Sequence, residues 1–145
     1  MSQAQQAQKA TPIVPAWAYP PPLNPSTMMV GTFETSVSDT GTIEIPTCFV
    51  AVLQIASPTE IGLYLNRYDN CIDGCGIDFA PFVILNDPIR VPINNGSITL
   101  PSDWVLSIGL TDRAFIVGKG RTFQIWEPKS FEGAINAVMK RQFIT

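Results

Sequence analysis

The chain has 145 residues, of which 46% are hydrophobic and only 14% are charged, and its formal net charge is −3. This composition favours a buried core over disorder, and the sparse charge leaves a thinly polar surface of the kind that binds a partner, often another copy of the same chain. Nine Lys and Arg residues against twelve Asp and Glu residues do not provide the basic stripe that general nucleic-acid binding needs.

Histidine is absent and there are three cysteines, Cys48, Cys71 and Cys75. Without histidine the chain lacks the commonest general base and metal ligand. An odd number of cysteines argues against a disulfide framework, and Cys71 with Cys75 would supply only half of a structural zinc site. We therefore expect no metal, no cofactor and no catalytic residue, with the thiols partly buried in a strand-turn region.

Residues 1–27 form a separate zone that holds six of the thirteen prolines and one charge, Lys9. Proline disrupts helix interiors and central strands, so the sequence predicts an extended, polyproline-like arm. Two interpretations remain. The composition cannot bury a core of its own, which favours a solvated tail. Trp17 and Tyr19 offer aromatic anchors, which favours an arm that docks on a neighbouring subunit.

The rest of the chain contains a repeat. Residues 39–46 return as 94–101, 55 positions further on. Each copy begins with a polar turn whose glycine suits a positive φ and continues as a short alternating strand. The proline that ends each copy suits the first turn of a helix, which we place in the second copy at 102–107, with Gly109 as its stop.

A second repeated piece follows, in which residues 59–65 correspond to 111–117 at a spacing of 52. A further strand is predicted after each, at 76–79 and at 122–126. Each half therefore has the predicted order strand, turn, strand, short helix, strand, turn, strand. Duplication of this kind indicates two units that bury their faces against each other.

The predicted architecture is mainly β with short helices, in one pseudo-symmetric body that spans residues 28–145. Its halves are expected at about 28–82 and 88–145. Period-two alternation at matched positions predicts that eight side chains are mostly buried. These are Ile43, Ile45, Ile98, Leu100, Phe115, Val117, Phe123 and Ile125.

The chain closes with a predicted helix that begins at Pro128. Its apolar residues recur at three- and four-residue spacing and form one face. They are Phe131, Ala134, Ile135, Val138, Met139 and Phe143. Together with the sparse surface charge, this face predicts a homo-oligomer, and a ring is the expected form.

Two stretches resemble the MraZ family. The first is Met29-Val30-Gly31-Thr32-Phe33-Glu34 followed by Asp39-Thr40-Gly41, Ile45-Pro46 and Phe49. The second, more specific one runs over 109–118 and 124–128 and includes Phe131. The resemblance covers roughly residues 28–140. It implies two AbrB-like swapped-hairpin units, assembly into rings, and transcription regulation through DNA binding by an Asp-x-x-x-Arg turn in each unit.

The chain departs from the family at those turns. The arginine expected after the turn glycine is Thr42 in the first unit and Ser97 in the second, while Asp39 and Asn94 stand near the position of the family's aspartate. Arginine grips phosphates and reads guanine edges, and a hydroxyl cannot replace its charge. Both positions are predicted to be exposed at the edges of their turns.

Two classes of function follow. One is a diverged MraZ-like regulator that meets DNA through Arg67, Arg90, Lys119 or Arg121, which could equally be ordinary solvated cations. The other is a non-enzymatic structural or adaptor protein of a homo-oligomeric assembly, such as a phage or particle component, whose arm binds neighbouring subunits. An enzyme is not expected, because loop acids without a basic partner usually form turns. Those acids are Asp69, Asp73 and Asp78.

The location expected for either class is the cytoplasm of a bacterium, with the gene carried by the bacterium or by a phage, or a particle assembled there. No apolar run approaches the roughly 18 residues of a membrane span. The first residues also lack the basic start and apolar stretch of a secretory signal.

Overall fold

A computed structural model describes residues 28–78 and 88–143, with side chains described as far as Lys140. The proposed arm with Trp17 and Tyr19 lies outside these residues. The described part contains eight strands and three helices. In chain order they are β1 (Thr32–Ser36), β2 (Thr42–Glu44), α1 (Thr47–Leu53), β3 (Glu60–Asn66), β4 (Cys71–Gly76), β5 (Ile89–Pro92), β6 (Ser97–Thr99), α2 (Ser102–Ile108), β7 (Arg113–Gly118), β8 (Thr122–Trp126) and α3 (Pro128–Phe143).

The mainly β fold with short helices and a C-terminal helix is thereby confirmed. The predicted helix at 102–107 is observed as α2, and it ends at Gly109, whose φ of 78° is left-handed. Glycine reaches that conformation without a steric penalty, which is why it so often stops a helix. None of the described helices has both the length and the apolar character required to cross a membrane.

The strands form a six-stranded antiparallel sheet in the order β1-β7-β8-β4-β3-β5 and a two-stranded ribbon of β2 and β6. The first strand of each half pairs with the hairpin of the other half. Thus Phe33 in β1 lies opposite Ile116 in β7, and Val91 in β5 lies opposite Ile61 in β3. The halves are interlocked by this exchange, and their inward side chains form one core.

Six of the eight predicted core residues are buried, but the prediction was wrong for Phe115 and Val117, which are only half-buried. In β7 the core positions belong to Ala114 and Ile116. Phe115 points to the opposite face of the sheet, where its ring packs edge-on against Phe131 of α3 at 5.6 Å. Both faces of β7 carry apolar residues, so alternation alone does not decide which face is inside. The six buried residues are Ile43, Ile45, Ile98, Leu100, Phe123 and Ile125.

The strand predicted at 76–79 was misplaced. The strand is Cys71–Gly76, residues 77 and 78 form a turn, and Phe79 lies outside the described residues. Glycine is required within this strand because the Phe123 ring covers Gly74, and a Cβ there would lie 2.3 Å from Phe123 Cζ. The core thus sets the composition of β4, in which Ile72 is the one β-branched residue and the other positions are Cys, Asp and Gly.

We expect Gly74→Ala to lower the free energy of unfolding by about 1–3 kcal/mol, the typical cost of overpacking a core. The Phe123 ring is fully buried, so it can make room for a new Cβ only by displacing other core side chains. The matched control is Gly133→Ala in α3, where a new Cβ meets nothing within 4 Å. Because alanine favours helices, the control should gain about 0.5–1 kcal/mol.

Urea denaturation of both variants at one protein concentration measures these changes. A Gly74→Ala protein as stable as the wild type would show that the ring does not hold β4 in place.

Candidate nucleic-acid interface

The ribbon of β2 and β6 carries both repeated turns, one at each end. The strands are antiparallel, with Thr42 opposite Thr99 and Glu44 opposite Ser97. The two turns, at 38–41 and 94–96, therefore lie at opposite ends of one short ribbon. These turns hold or lie directly beside four of the candidate DNA-binding residues named from the sequence, Asp39, Thr42, Asn94 and Ser97.

The geometry of each turn depends on its glycine. Gly41 and Gly96 have φ values of 82° and 79°, and Asn95 has a φ of 52°. In the second turn the backbone N–H of Asn94 donates to the Ser97 carbonyl at 3.0 Å, and the Ser97 N–H donates to the Asn94 carbonyl at 2.9 Å. Paired bonds across an Asn-Gly turn are typical of a tight hairpin. Both turns therefore have the backbone geometry of tight, glycine-containing turns.

The two faces of the ribbon differ in chemistry. Ile43 and Ile98 lie opposite each other on the inner face and are 1% exposed. The outer face carries a chain of hydroxyl groups, in which Thr42 Oγ1 lies 2.8 Å from Thr99 Oγ1 and 3.2 Å from Thr40 Oγ1. The chain continues to Ser38, whose Oγ lies 3.0 Å from Thr40 Oγ1. The hydroxyls are therefore partly occupied with one another.

The ribbon is free of cations. The sequence has no Lys or Arg between residues 10 and 66 or between 91 and 112, whereas Asp39, Glu44 and Asp103 are exposed in those stretches. The carboxylates repel the phosphate backbone, and the uncharged hydroxyls do not offset that repulsion. Affinity for duplex DNA depends on cations that displace condensed counterions, and the ribbon carries none.

The sequence-predicted site residues occupy the two turns as expected, although they differ in exposure. Asp39 and Asn94 are exposed, while Thr42 and Ser97 are half-buried rather than fully exposed. The exposure predicted for the last two was therefore overestimated. Neighbouring groups of the ribbon cover part of Thr42, because its backbone N–H donates to Ser38 Oγ at 3.0 Å and its Oγ1 lies 2.8 Å from Thr99 Oγ1.

The candidate cations do not converge on the ribbon or on one another. Arg67 lies in the turn between β3 and β4, and Lys119 and Arg121 lie in the turn between β7 and β8. Because Cys75 lies opposite Thr122 in the β4–β8 pair, these two turns are at opposite ends of the sheet. Arg90 lies on the edge strand β5, where its Nη1 is 3.6 Å from Glu60 Oε1. A single copy therefore offers no continuous basic patch from these four residues.

One ion pair of the sheet was not predicted from the sequence. Arg113 Nε donates to Glu34 Oε2 across the β1–β7 pair. The contact lowers the pKa of the Glu34 carboxyl and raises the pKa of the Arg113 guanidinium. The partners lie 79 residues apart, so no local pattern could have revealed them. Both side chains are about half exposed, and such surface pairs contribute little to stability.

A buried polar cluster lies on the face of the sheet opposite the core. Asp73, which was interpreted as a loop acid, is in β4 and is only 5% exposed. Asn66 Nδ2 donates to Asp73 Oδ2 at 2.7 Å, and Gln124 also hydrogen-bonds this carboxyl. Trp126 Nε1 in turn donates to Gln124 Oε1 at 3.0 Å. The interpretation as a turn former was therefore wrong for Asp73, although Asp69 does lie in a turn.

Burial controls the ionisation of this cluster. It raises the pKa of Asp73, and the two amide hydrogen bonds oppose part of that rise. It also raises the pKa of the Cys75 thiol to about 11, raises that of Cys71, and raises the pKa of Tyr64 to about 12. Cys71 and Cys75 are fully buried, so these thiols are neutral and poorly reactive at neutral pH.

Among the described residues, no group of three or more Cys, Asp and Glu side chains has a geometry that could hold a metal ion. The Asp73 cluster contains amides and thiols but no basic group that could exchange a proton with substrate. Its arrangement supports a structural task, which is to join β3, β4 and β8 on the outer face of the sheet.

No family model matches the chain. Individual proteins that share one name are nevertheless similar to it. The chain is 30% identical to the transcriptional regulator MraZ of Rhodospirillum rubrum, with 72% of this chain and 83% of that protein covered. It is 27% identical to MraZ of Rickettsia rickettsii, covering 68% and 80%, and 24% identical to MraZ of Rickettsia bellii, covering 72% and 84%.

The Asp73 cluster generates a pH prediction. The folded-state pKa of Asp73 is raised, so between the unfolded value of about 3.9 and the folded pKa the folded protein binds more protons than the unfolded one. Stability from this group is therefore lost as the pH rises through the folded pKa. Asp73→Asn removes that loss, so the stability of the variant relative to wild type should increase from about pH 4 to pH 7.

Urea titrations of both proteins at several pH values check this expectation. A stability difference that stays constant over the range would mean that the carboxyl titrates alike in the folded and unfolded chains.

Proposed function

This chain belongs to the MraZ family, and from that premise we propose that it acts as a homo-oligomeric, non-enzymatic protein of the transcription-regulator type whose ribbon has lost most of its affinity for duplex DNA. The proposed location is the bacterial cytoplasm. The relatives are transcriptional regulators by name. The single observation that carries the proposal is the ribbon itself, which forms both tight glycine turns but contains no Lys or Arg.

The physical argument concerns the number of phosphate contacts. Each cation that neutralises a phosphate releases counterions, and a protein with 6–10 such contacts changes its affinity by roughly 10³–10⁵ between 50 and 200 mM salt. In every copy, Thr42 and Ser97 stand where the family is expected to have an arginine in each of the two turns. Each subunit of an assembly therefore lacks two cations that could contact phosphates. The four candidate cations that remain are scattered, with Arg67, Lys119 and Arg121 at the two ends of the sheet and Arg90 on the edge strand β5.

Assembly into an oligomer is supported by the surface. Only 14% of the residues are charged, and several large apolar side chains are exposed. Soluble monomers seldom leave apolar side chains clustered in water unless the cluster meets a partner. The exposed residues include Val30, Phe33, Ile135, Val138 and Met139.

A second candidate is an adaptor or structural protein of a homo-oligomeric assembly, such as a phage or particle component. The acidic, hydroxyl-rich ribbon favours it, because that surface suits a protein partner better than a polyanion. In this proposal the arm, through Trp17 and Tyr19, binds a neighbouring subunit. Both candidates assume the same oligomer. They differ in whether the exposed surface of that oligomer contacts DNA or another protein.

Restoring the cations tests the main proposal. The double change Thr42→Arg and Ser97→Arg should create salt-sensitive binding to duplex DNA without loss of the fold, since both side chains reach the surface of the ribbon. Each restored phosphate contact should steepen the slope of log affinity against log salt by about 0.9, multiplied by the number of contacts that one assembly makes.

The matched control is Thr59→Arg with Thr111→Arg, which adds the same charge at two other repeat-related positions, both exposed. Fluorescence anisotropy with a labelled duplex at several salt concentrations compares the variants. Tight binding of a repeated site by the unmodified protein at physiological salt would contradict the proposal. Arg67, Lys119 and Arg121 would then be the first residues to mutate.

A further inference from the structure

The strand β1 is an edge of the sheet that lacks the usual protection. Among the described strands it pairs only with β7, and the backbone N–H and C=O groups along the other side of an edge strand can template a further strand. The opposite edge, β5, carries Arg90 and Pro92, and both charge and proline oppose strand addition. In β1 there is no proline, and the single charge, Glu34, is paired with Arg113. An edge of this kind needs a cover.

Apolar surface lies beside this edge in a groove of about 210 Å³. The apolar lining of the groove comes from Phe33, Ile45, Pro46 and Ile116. Phe33 packs edge-on against Phe49 at 5.3 Å, yet it remains 38% exposed. The groove is therefore a preformed depression with an aromatic wall. Surfaces of this kind bind proline-rich segments in the polyproline conformation.

The chain itself supplies a segment of matching chemistry. Residues 1–27 lie outside the described residues, and their sequence contains Trp17, Tyr19 and three consecutive prolines. This arm holds one cation and no acid, whereas Glu34 and Glu44 line the groove, so no like charge opposes their contact. Because proline lacks a backbone N–H, a proline-rich segment covers an edge strand without becoming a new template.

The arm joins the body at the start of β1. Met29 is fixed beside the turn between β7 and β8, since its N–H donates to the Gly120 carbonyl at 2.7 Å and its carbonyl accepts from the Gly120 N–H at 2.9 Å. A segment tethered this close to the groove is present there at a millimolar effective concentration. The arm of the same copy therefore has an advantage over any separate chain of similar composition.

The length of the arm matches the distance to the groove. Asn24-Pro25 is a dipeptide typical of a turn. From this turn forward to Phe33, seven steps of extended chain cover roughly 23 Å at about 3.3 Å per residue. From the turn back to Trp17, seven steps of polyproline conformation cover roughly 22 Å at about 3.1 Å per residue. A reversal at Asn24-Pro25 therefore brings Trp17 level with Phe33.

We propose that residues 14–23 fold back along the β1 edge of their own copy, with Trp17 in the groove against Phe33. The three prolines then cover Val30, which is 59% exposed just before β1. In this arrangement the arm is an intramolecular cap that prevents a further strand from adding to β1. The contact does not depend on the number of copies in the assembly or on affinity for DNA.

A cross-link within the chain tests this contact. Ala18→Cys places a thiol between the two aromatic anchors, and Cys48 is an exposed native thiol on α1, next to Thr47 of the groove. Cys71 and Cys75 are buried and do not compete. Treatment of the full chain with a short bismaleimide should join positions 18 and 48 within one chain. The product then migrates as a single chain of 15.8 kDa in denaturing electrophoresis, and mass spectrometry of its peptides identifies the two positions.

Two substitutions in β1 separate the groove from the rest of the strand. Thr35→Tyr fills the groove from the half-buried position 35 that lines it, whereas Thr32→Tyr adds the same side chain at an exposed position on the opposite face. We expect Thr32→Tyr to keep the yield of the cross-link and Thr35→Tyr to lower it roughly tenfold, the effect of losing one buried aromatic contact. Trp17→Ser combined with Tyr19→Ser should lower the yield at least as far. Circular dichroism confirms that each variant is folded.

Quenching of tryptophan fluorescence by acrylamide gives a second measurement without the added cysteine. In each background, the difference between the protein with Trp17 and its Trp17→Phe counterpart separates Trp17 from the other two tryptophans. We expect Trp17 to be shielded in the wild type and in Thr32→Tyr, and to be accessible to the quencher in Thr35→Tyr.

Three results would overturn the inference. Equal cross-linking in Thr32→Tyr and Thr35→Tyr means that the arm meets Cys48 as a free tail. Cross-linked products of two or more chains mean that the arm docks on a neighbouring subunit, as in the adaptor candidate. A wild-type Trp17 as accessible to acrylamide as free tryptophan means that the arm does not occupy the groove. None of these results bears on the affinity of the ribbon for DNA, so the main proposed function is tested separately.

Discussion

The exchange of edge strands between the two halves of the chain is the constraint on which the rest of the structure depends. An isolated two-stranded hairpin is marginally stable at best, and here the hairpin of each half gains a further strand from the other half. The exchange places β2 beside β6, so that Ile43 and Ile98 close the core together. It also leaves β1 and β5 at the two edges of the sheet.

Side chains on the outer face of the ribbon can be substituted at little cost to the fold because the inner face anchors the ribbon to the core. The buried isoleucines and the turn glycines fix the backbone, and none of the outward side chains contributes to the core. Exchanging an exposed cation for a hydroxyl therefore costs the fold little, whereas it removes a phosphate contact outright. The backbone of the ribbon and the charge of its outer face are thus physically separable, in keeping with the general rule that function depends on the site and not on the fold.

Much of the fold could be predicted because the chain repeats its pattern, and each copy supports the assignment of the other. The ribbon turns and α2 follow from local chemistry, namely glycine and proline at fixed offsets. The errors arose where tertiary contacts decide. Gly74 is needed only because Phe123 lies over it, Phe115 turns outward only because α3 covers it, and the burial of Asp73 depends on amides from two other strands. The candidate turns were predicted from their repeat positions, but the distribution of the candidate cations required the register of the sheet.

The pairing of β1 with β7 also has a consequence for biosynthesis. The two strands are separated by about 80 residues, so the fold has a high contact order and is expected to form on the millisecond-to-second scale. At 5–20 residues per second, a ribosome needs roughly 4–16 s to make the intervening chain. During that interval the apolar residues of the first half have no second half to cover them. Nascent chains of this topology are thus clients for chaperones, and the order of synthesis, as much as the final contacts, determines how many copies reach the folded state.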